Sequence, residues 1–333
     1  MNAPDSLDFR LLNEFQRDFP LLSRPYATLA EQLGSSEGEV IAALARLRQQ
    51  GAVSRIGAVI APRSVGASTL AALSAPPEQL ERIAELVSRH PEVNHNYQRE
   101  HRYNLWFVAT AEDQAALAAA LRSIEAETGC SVISLPLLEG FHIDLGFDLT
   151  RNGKSHCAAV AGAASETAVL GEAERRLLGV LQDGLELLPQ PYSRLALRAG
   201  LSEGEVLGLI EAWLRRGFVK RFGVVVRHHE LGFTANAMCV WDVPDAQAAA
   251  IGARLAAEPA VTLCYRRARA EPQADWPYNL FCMIHGRDRA AVESEIAALG
   301  ARHGLSAFPQ AVLFSLRRFK QRGARYVHGA ARA

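Results

Sequence analysis

One stretch of this chain is written twice, and that repetition constrains its fold more than any other feature. Pro25-Tyr26 recurs as Pro191-Tyr192, and Ser36-Glu37-Gly38-Glu39-Val40 recurs as Ser202-Glu203-Gly204-Glu205-Val206, both 166 residues later. The same offset holds at Gly51/Gly217, Val53/Val219, Arg55/Arg221, Gly57/Gly223 and Gly66/Gly232, so more than forty positions align without a gap. Pro91/Pro259, Val93/Val261, Tyr97/Tyr265 and Arg99/Arg267 then share an offset of 168, and Tyr103-Asn104-Leu105 matches Tyr278-Asn279-Leu280 at 175. The second copy therefore carries seven extra residues between Arg269 and Tyr278. Self-similarity over a long period marks one structural unit fused head to tail. Between the copies, Asn152 to Glu172 is rich in Ala, Gly and Ser without an apolar period, which is the composition of a linker.

Local signals run in the same order in both copies. In the first, Leu11 to Phe19 is expected to be helical. Ala27 to Leu33 follows the Pro25 breaker as a short helix, and Gly34 closes it as a C-cap. Ser36 with Glu39 three residues on forms a capping box for a helix whose apolar stripe is Val40, Leu44 and Leu47. Gly51 ends that helix and Val53 to Ile60 alternates as a strand, so three helices and a strand ribbon make a winged helix-turn-helix. There follow a strand (Thr69 to Ser74), a helix (Pro77 to His90), paired strands (Val93 to Glu100, Tyr103 to Thr110), a helix (Gln114 to Thr128) and a strand near Val132. That is the β-α-β-β-α-β order of a ferredoxin-like domain. The second copy repeats it with strands near Ala235 to Asp242, Val261 to Arg269, Tyr278 to Ile284 and Leu313 to Phe319. The fold class is thus α+β, a tandem repeat of winged helix-turn-helix plus ferredoxin-like βαββαβ domain. The expected boundaries are 1–62 and 63–150 for the first copy, 151–172 for the linker, and 173–228 and 229–333 for the second copy.

Composition narrows the function classes. The 333 residues, 49% of them hydrophobic, can bury ample core, and 36 basic residues balance 36 acidic ones. No global field draws such a chain onto nucleic acid or anionic lipid. No apolar run approaches the ~20 residues of a membrane span, and Met1 to Phe15 mixes charges where a signal peptide would be apolar, so a cytoplasmic protein is expected. Five cysteines (Cys130, Cys157, Cys239, Cys264, Cys282), odd in number and without a C-x-x-C, argue against a disulfide framework or structural zinc, and are expected to be reduced core residues.

A helix-turn-helix raises the question of DNA. Base and phosphate contacts come from the amino-terminal part of the second helix. Here those ends carry Glu37 and Glu39, and Glu203 and Glu205, so phosphate would meet carboxylates and no nucleic acid partner is expected. Chemistry is concentrated instead in the middle strands of the ferredoxin-like halves. From His95 to Phe107 the chain is dense in titratable groups, and a period of two puts His95, Tyr97, Arg99 and His101 on one strand face. The corresponding face of the second copy carries Leu263, Tyr265, Arg267 and Arg269. Singly, such residues on a sheet face are more often solvated than functional; in register, with a second Tyr-Arg pair at the equivalent place, they suit a planar polyanion. Arginine pairs carboxylates, aromatics pack on a ring, and histidine titrates near neutrality.

The run His95-Asn96-Tyr97-Gln98-Arg99-Glu100-His101-Arg102-Tyr103-Asn104-Leu105-Trp106-Phe107, with Tyr265-Arg266-Arg267 and Trp276-Pro277-Tyr278-Asn279-Leu280-Phe281, resembles the siroheme decarboxylases related to Lrp/AsnC regulators, in the fused two-half form of haem d1 biosynthesis. The resemblance covers nearly the whole chain. It implies loss of carbon dioxide from the acetates on rings C and D of siroheme to give didecarboxysiroheme, and a regulator ancestry that has lost DNA binding. It implies siroheme as substrate, no separate cofactor or protein-held metal, and a homodimer or other haem d1 biosynthesis proteins as partners. The candidate catalytic residues are His95, His101 and Tyr97. The candidate substrate contacts are Arg99, Arg102, Tyr103, Asn104, Trp106, Tyr265, Arg267, Arg269, Tyr278 and Asn279. A histidine could donate a proton or ligate the substrate iron, and both roles stay open. His142 is a weaker candidate, whereas His228, His229 and His328 are expected on the surface. The second copy departs from the first in having Leu263 and Arg269 where histidines stand. Two alternatives stand beside the enzyme: a transcription regulator binding DNA and a small effector, and a non-catalytic tetrapyrrole carrier.

Overall fold

The computed structural model describes residues 5–61, 64–143, 147–148, 153–154, 170–227, 232–271 and 276–326. The first copy contains α1 (Leu7–Glu14), α2 (Pro25–Leu33), α3 (Glu37–Gln49), β1 (Val53–Ile60), β2 (Ala67–Leu73), α4 (Leu80–Arg89), β3 (Val93–Arg99), β4 (Leu105–Ala111), α5 (Gln114–Thr128) and β5 (Val132–Ile143). Two short strands, β6 (Phe147–Asp148) and β7 (Gly153–Lys154), pair with each other. The second copy contains α6 (Glu172–Leu181), α7 (Pro191–Ala199), α8 (Glu203–Arg215), β8 (Val219–Val226), β9 (Ala235–Trp241), α9 (Asp245–Ala257), β10 (Val261–Arg267), β11 (Leu280–Gly286), α10 (Arg289–His303) and β12 (Gln310–Gln321). These elements assemble into two units, one within 1–65, 165–231 and 325–333, the other within 66–164 and 232–324, so each unit takes one part from each copy. His228, His229, His328 and Cys157, together with most of the expected linker, lie outside the described residues.

In the helical unit the expected caps are present. Ser36 accepts from the Glu39 amide while the Glu39 carboxylate accepts from the Ser36 amide, and Ser202 with Glu205 repeats this in α8. Gly34 and Gly200 close α2 and α7 at positive φ, 65° and 64°. Two expectations are corrected. The first helix ends at Glu14 instead of Phe19, because the apolar segment after it bonds to another strand: Phe19 N–H donates to Phe222 O, and Val224 N–H to Phe15 O at 2.7 Å. The wing is also no ribbon within one copy. β1 pairs antiparallel with β8 of the other copy, centred on Gly57 opposite Gly223.

The second unit is a closed eight-stranded antiparallel barrel in the order β10-β11-β9-β12-β3-β4-β2-β5. Each copy contributes a four-stranded ferredoxin-like sheet, and the long last strand of each crosses to the other: β12 pairs with β3 and β5 with β10. Closure satisfies edge N–H and C=O groups that an isolated half would expose. Alternation then sorts the side chains. On β4, Leu105, Phe107 and Ala109 face a core with α4 and α5, while Trp106 faces the barrel interior. On β11, Cys282 and Ile284 face a core with α9 and α10, while Phe281 and Met283 point inward. Cys239, Cys264 and Cys282 are buried free thiols in that outer core, and burial pushes the Cys239 thiol up to about 12. No helix among the described residues is long and apolar enough to cross a membrane.

Candidate active site

The barrel interior places the chemistry-bearing residues. β3 pairs with β4 so that His95 stands opposite Val108 and Tyr97 opposite Trp106. Directly paired residues share a face, so His95 and Tyr97 face inward with Trp106. Both are half-buried, whereas Asn96 between them is buried on the other face, where it donates to Ala84 O at 3.0 Å on α4; Asn94, in the bulge before His95, donates to Thr110 Oγ1 at 2.8 Å. The His95 and Tyr97 rings meet edge to face at 6.2 Å between centroids. Tyr265 on β10 is opposite Phe281, and Leu263 opposite Met283, which makes the equivalent inward face of the second copy largely apolar.

Arg99 and Arg267 follow their tyrosines but do a different job from the expected carboxylate clamp. Arg99 Nη1 donates to Leu313 O on β12 at 3.0 Å, and Arg267 Nη1 donates to Leu135 O on β5 at 2.8 Å. Each arginine ties its strand to the last strand of the opposite copy. Arg267 also lies over the Tyr265 ring at 4.7 Å, and burial lowers both guanidinium pKa values. Asn104 and Asn279, expected as substrate contacts, are backbone latches. Asn104 accepts from the Ala75 amide and donates to Ala75 O, and Asn279 does the same with Val243. An amide that both accepts from and donates to one backbone residue positions the β3–β4 and β10–β11 turns, which gives the repeated Tyr-Asn-Leu a structural role.

The turns hold the remaining candidates. β3 ends at Arg99, so His101 lies in the turn before β4 and not on the strand face. Its Nδ1 accepts from the Tyr103 amide at 3.1 Å, and burial, with a smaller contribution from Arg102, holds its pKa below the usual histidine value. Nδ1 is therefore unprotonated and the proton of the neutral ring sits on Nε2. His101 stacks on Tyr103 at 6.1 Å and packs edge to face on Trp276 at 5.3 Å. Arg102 lies over the Tyr103 ring at 4.9 Å. Trp276, from the insertion of the second copy, also packs on Trp106 at 4.8 Å and Tyr278 at 4.9 Å, so one tryptophan joins the turns of both copies inside the barrel. Arg269 lies beyond the end of β10 and is paired with Asp242 at 2.7 Å and Asp245 at 3.0 Å, which removes it from the inward face. His142 pairs in register with Cys264, whose side chain belongs to the core under α9, and so faces away from His95.

Sequence reasoning missed the contribution of β12. Arg318 stands opposite Tyr97, and Gln321 opposite His95, on the strand that the second copy lends to the first. Nothing local marks them, because the pairing joins residues more than two hundred positions apart.

With this geometry in hand, comparison with known proteins assigns the chain. An AsnC-like ligand binding domain matches residues 64–142 and 230–320, and a siroheme decarboxylase NirDL-like HTH domain matches 8–53 and 174–219. The siroheme decarboxylase NirDL subunit of Paracoccus denitrificans is 48% identical over 327 residues, 98% of this chain and 99% of that protein. The siroheme decarboxylase NirD subunit of Stutzerimonas stutzeri is 52% identical over 145 residues, 44% of this chain but 95% of its own length. A crystal structure of the siroheme decarboxylase NirDL in co-complex with an iron-uroporphyrin III analogue superposes with a TM-score of 0.67 at 26% identity, over 96% of this chain and 94% of that one. The chain belongs to the siroheme decarboxylase family, with AsnC-like ligand-binding domains and NirDL-like helix-turn-helix domains in tandem.

Proposed function

We propose that this chain is a siroheme decarboxylase, which removes carbon dioxide from the acetates on rings C and D of siroheme to give didecarboxysiroheme in haem d1 biosynthesis. In each step the bond between the acetate methylene and its carboxylate breaks. Carbon dioxide leaves, the electron pair is taken up by the conjugated macrocycle, and a proton is delivered to the methylene carbon, which becomes a methyl group. The substrate supplies its own electron sink, so no separate organic cofactor is required. The protein has to hold the ring, orient the reacting carboxylate and deliver a proton.

The observation that carries this reading is the half-buried His95–Tyr97 pair on the inner wall, at the edge of an interior packed with Trp106, Trp276 and Tyr278. A flat macrocycle packs on aromatic faces, which the half-buried Tyr97 and Tyr103 rings can offer, and the His–Tyr pair supplies titratable groups beside it. His101, held neutral at physiological pH, suits hydrogen-bond donation from Nε2 better than supply of the proton. His95 is assigned the proton-donating role.

The regulator alternative fits the helix termini poorly. Glu39 and Glu205 cap their own helices, Glu37 pairs with Arg24, and Glu203 accepts from Ser193 at 2.7 Å, which leaves carboxylates where phosphates would dock. The proposal therefore includes no nucleic-acid partner. A cytoplasmic site of action is in keeping with buried thiols such as Cys264 and Cys282, where Cys282 Sγ donates a weak hydrogen bond to Cys264 Sγ at 3.3 Å.

Anaerobic incubation with siroheme, followed by mass spectrometry of the tetrapyrrole, tests the activity. The wild-type chain should yield the doubly decarboxylated product. His95→Ala should lower turnover about a hundredfold to ten-thousandfold, the usual worth of a positioned acid, with an unchanged circular dichroism spectrum. Wild-type rates from a variant lacking both His95 and His101 would show that the proton comes from elsewhere. Siroheme bound but never converted would point to a carrier.

A further inference from the structure

Given the siroheme decarboxylase reading above, we propose that Arg318 of β12 docks a substrate carboxylate, oriented by Gln321, and that only the β3–β12 seam of the barrel is equipped for chemistry. The register carries it. Arg318 pairs with Tyr97 and Gln321 with His95, so both share the inward face of the two candidate catalytic residues. Their neighbours point the opposite way. Arg317 pairs with Gln98 and bonds Glu81 on α4, and Lys320 pairs with Asn96 and donates to Ser88 O and His90 O at the end of α4. Arg318 Nη1 donates to Gln321 Oε1 at 3.1 Å, which aims the guanidinium along the seam beside Tyr97. Arginine is the residue suited to a carboxylate, through its planar fork of donors.

The mirror seam lacks counterparts of Arg318, Gln321 and His95. Where β5 pairs with β10, Gly140 stands opposite Tyr265 and Ile143 opposite Leu263. The repeat therefore puts Gly140 in the place of Arg318, Ile143 in that of Gln321 and Leu263 in that of His95. Only the tyrosine and the strand-tying arginine are common to both seams. An acetate brought to the second seam would meet neither the guanidinium of Arg318 nor the imidazole of His95. The active seam is thus composite: the first copy supplies His95 and Tyr97, and the second supplies Arg318 and Gln321.

Steady-state kinetics with siroheme under anaerobic conditions, together with an absorbance titration, test this. Arg318→Gln should raise the apparent KM about ten- to a hundredfold, the range of a lost charge-assisted hydrogen bond, and change kcat less. Arg318→Lys should recover part of the loss by restoring the charge. Arg317→Gln, the same change one residue away on the opposite face, should match the wild type, and the titration should end at one siroheme per chain. Wild-type KM in Arg318→Gln, or two equivalent siroheme sites per chain, overturns the assignment. If Arg318→Gln fails to fold, the lysine variant and the stoichiometry still decide it. A wild-type chain that does not convert siroheme overturns the underlying activity, which is a separate result.

Discussion

At the level of single residues, much of what repeats is what joins the two copies. Tyr26 donates to Glu186 O at 3.0 Å and Tyr192 to Pro20 O at 2.8 Å, each reaching into the other copy from full burial. Either Tyr→Phe change should cost about 1 kcal/mol, the usual worth of an intramolecular hydrogen bond, measured by denaturant unfolding. The paired glycines separate more sharply. A Cβ on Gly223 would lie 2.5 Å from Phe15 O and 2.6 Å from Gln16 C, whereas one on Gly57 would meet Gly184 Cα at 3.3 Å. Gly223→Ala should therefore destabilise by about 1–3 kcal/mol or more and Gly57→Ala by clearly less; equal losses would contradict the structure. His101 yields a prediction in pH. Its pKa is lowered in the fold, so the unfolded chain binds its proton first, near pH 6.5, and stability falls as pH drops through that value toward the folded pKa. His101→Asn can keep an acceptor for the Tyr103 amide while removing the titration, and should lose that part of the acid-side decline. Unchanged pH dependence of unfolding in this variant would refute the assignment.

Among elements, the chemistry-bearing face of β3 was legible in the sequence and its pairing with β12 was not. The alternation of His95, Tyr97 and Arg99 is visible in the chain, but the partner of that strand is chosen by barrel closure. The same closure turns Arg99 and Arg267 into ties to Leu313 O and Leu135 O. The predicted wing strand was placed correctly at Val53–Ile60, yet its partner β8 lies in the other copy. The Ser36 capping box and the Gly34 C-cap were read correctly because capping is local: Ser36 and Glu39 need no tertiary contact to find each other, whereas the end of the first helix, set by bonds to β8, was not. With carboxylates opening α3 and α8, no sequence-specific DNA binding is expected at physiological salt. A band shift that survives competitor DNA at sub-micromolar affinity would restore the regulator reading.

For the molecule as a whole, closure by exchange of last strands means that neither copy is complete alone. A half ending after β5 would leave β3 and β5 without the partners that β12 and β10 provide, and β1 without β8. Exposed edges of this kind pair with whatever is available. Dividing the chain within the Ala-, Gly- and Ser-rich stretch after Asn152 should therefore give two polypeptides that co-purify one to one when expressed together. Expressed singly, each should self-associate or aggregate. Two soluble monomeric halves on size-exclusion chromatography with light scattering would count against this. Fusion raises the effective concentration of one half for the other without adding a contact.

The sequence by itself determined the duplication, the order of elements within each copy, the helix caps and the density of histidine, tyrosine and arginine on β3, because all of these are written in local periodicity and in self-comparison. It could not show that His101 leaves the strand, that Asn104 and Asn279 are latches, that Arg269 is held by two aspartates, or that Arg318 and Gln321 join His95 and Tyr97. Those outcomes depend on which backbone groups and carboxylates each side chain meets once the barrel has closed. Register between β3 and β12 joins residues more than two hundred positions apart, and no local pattern in the chain encodes it.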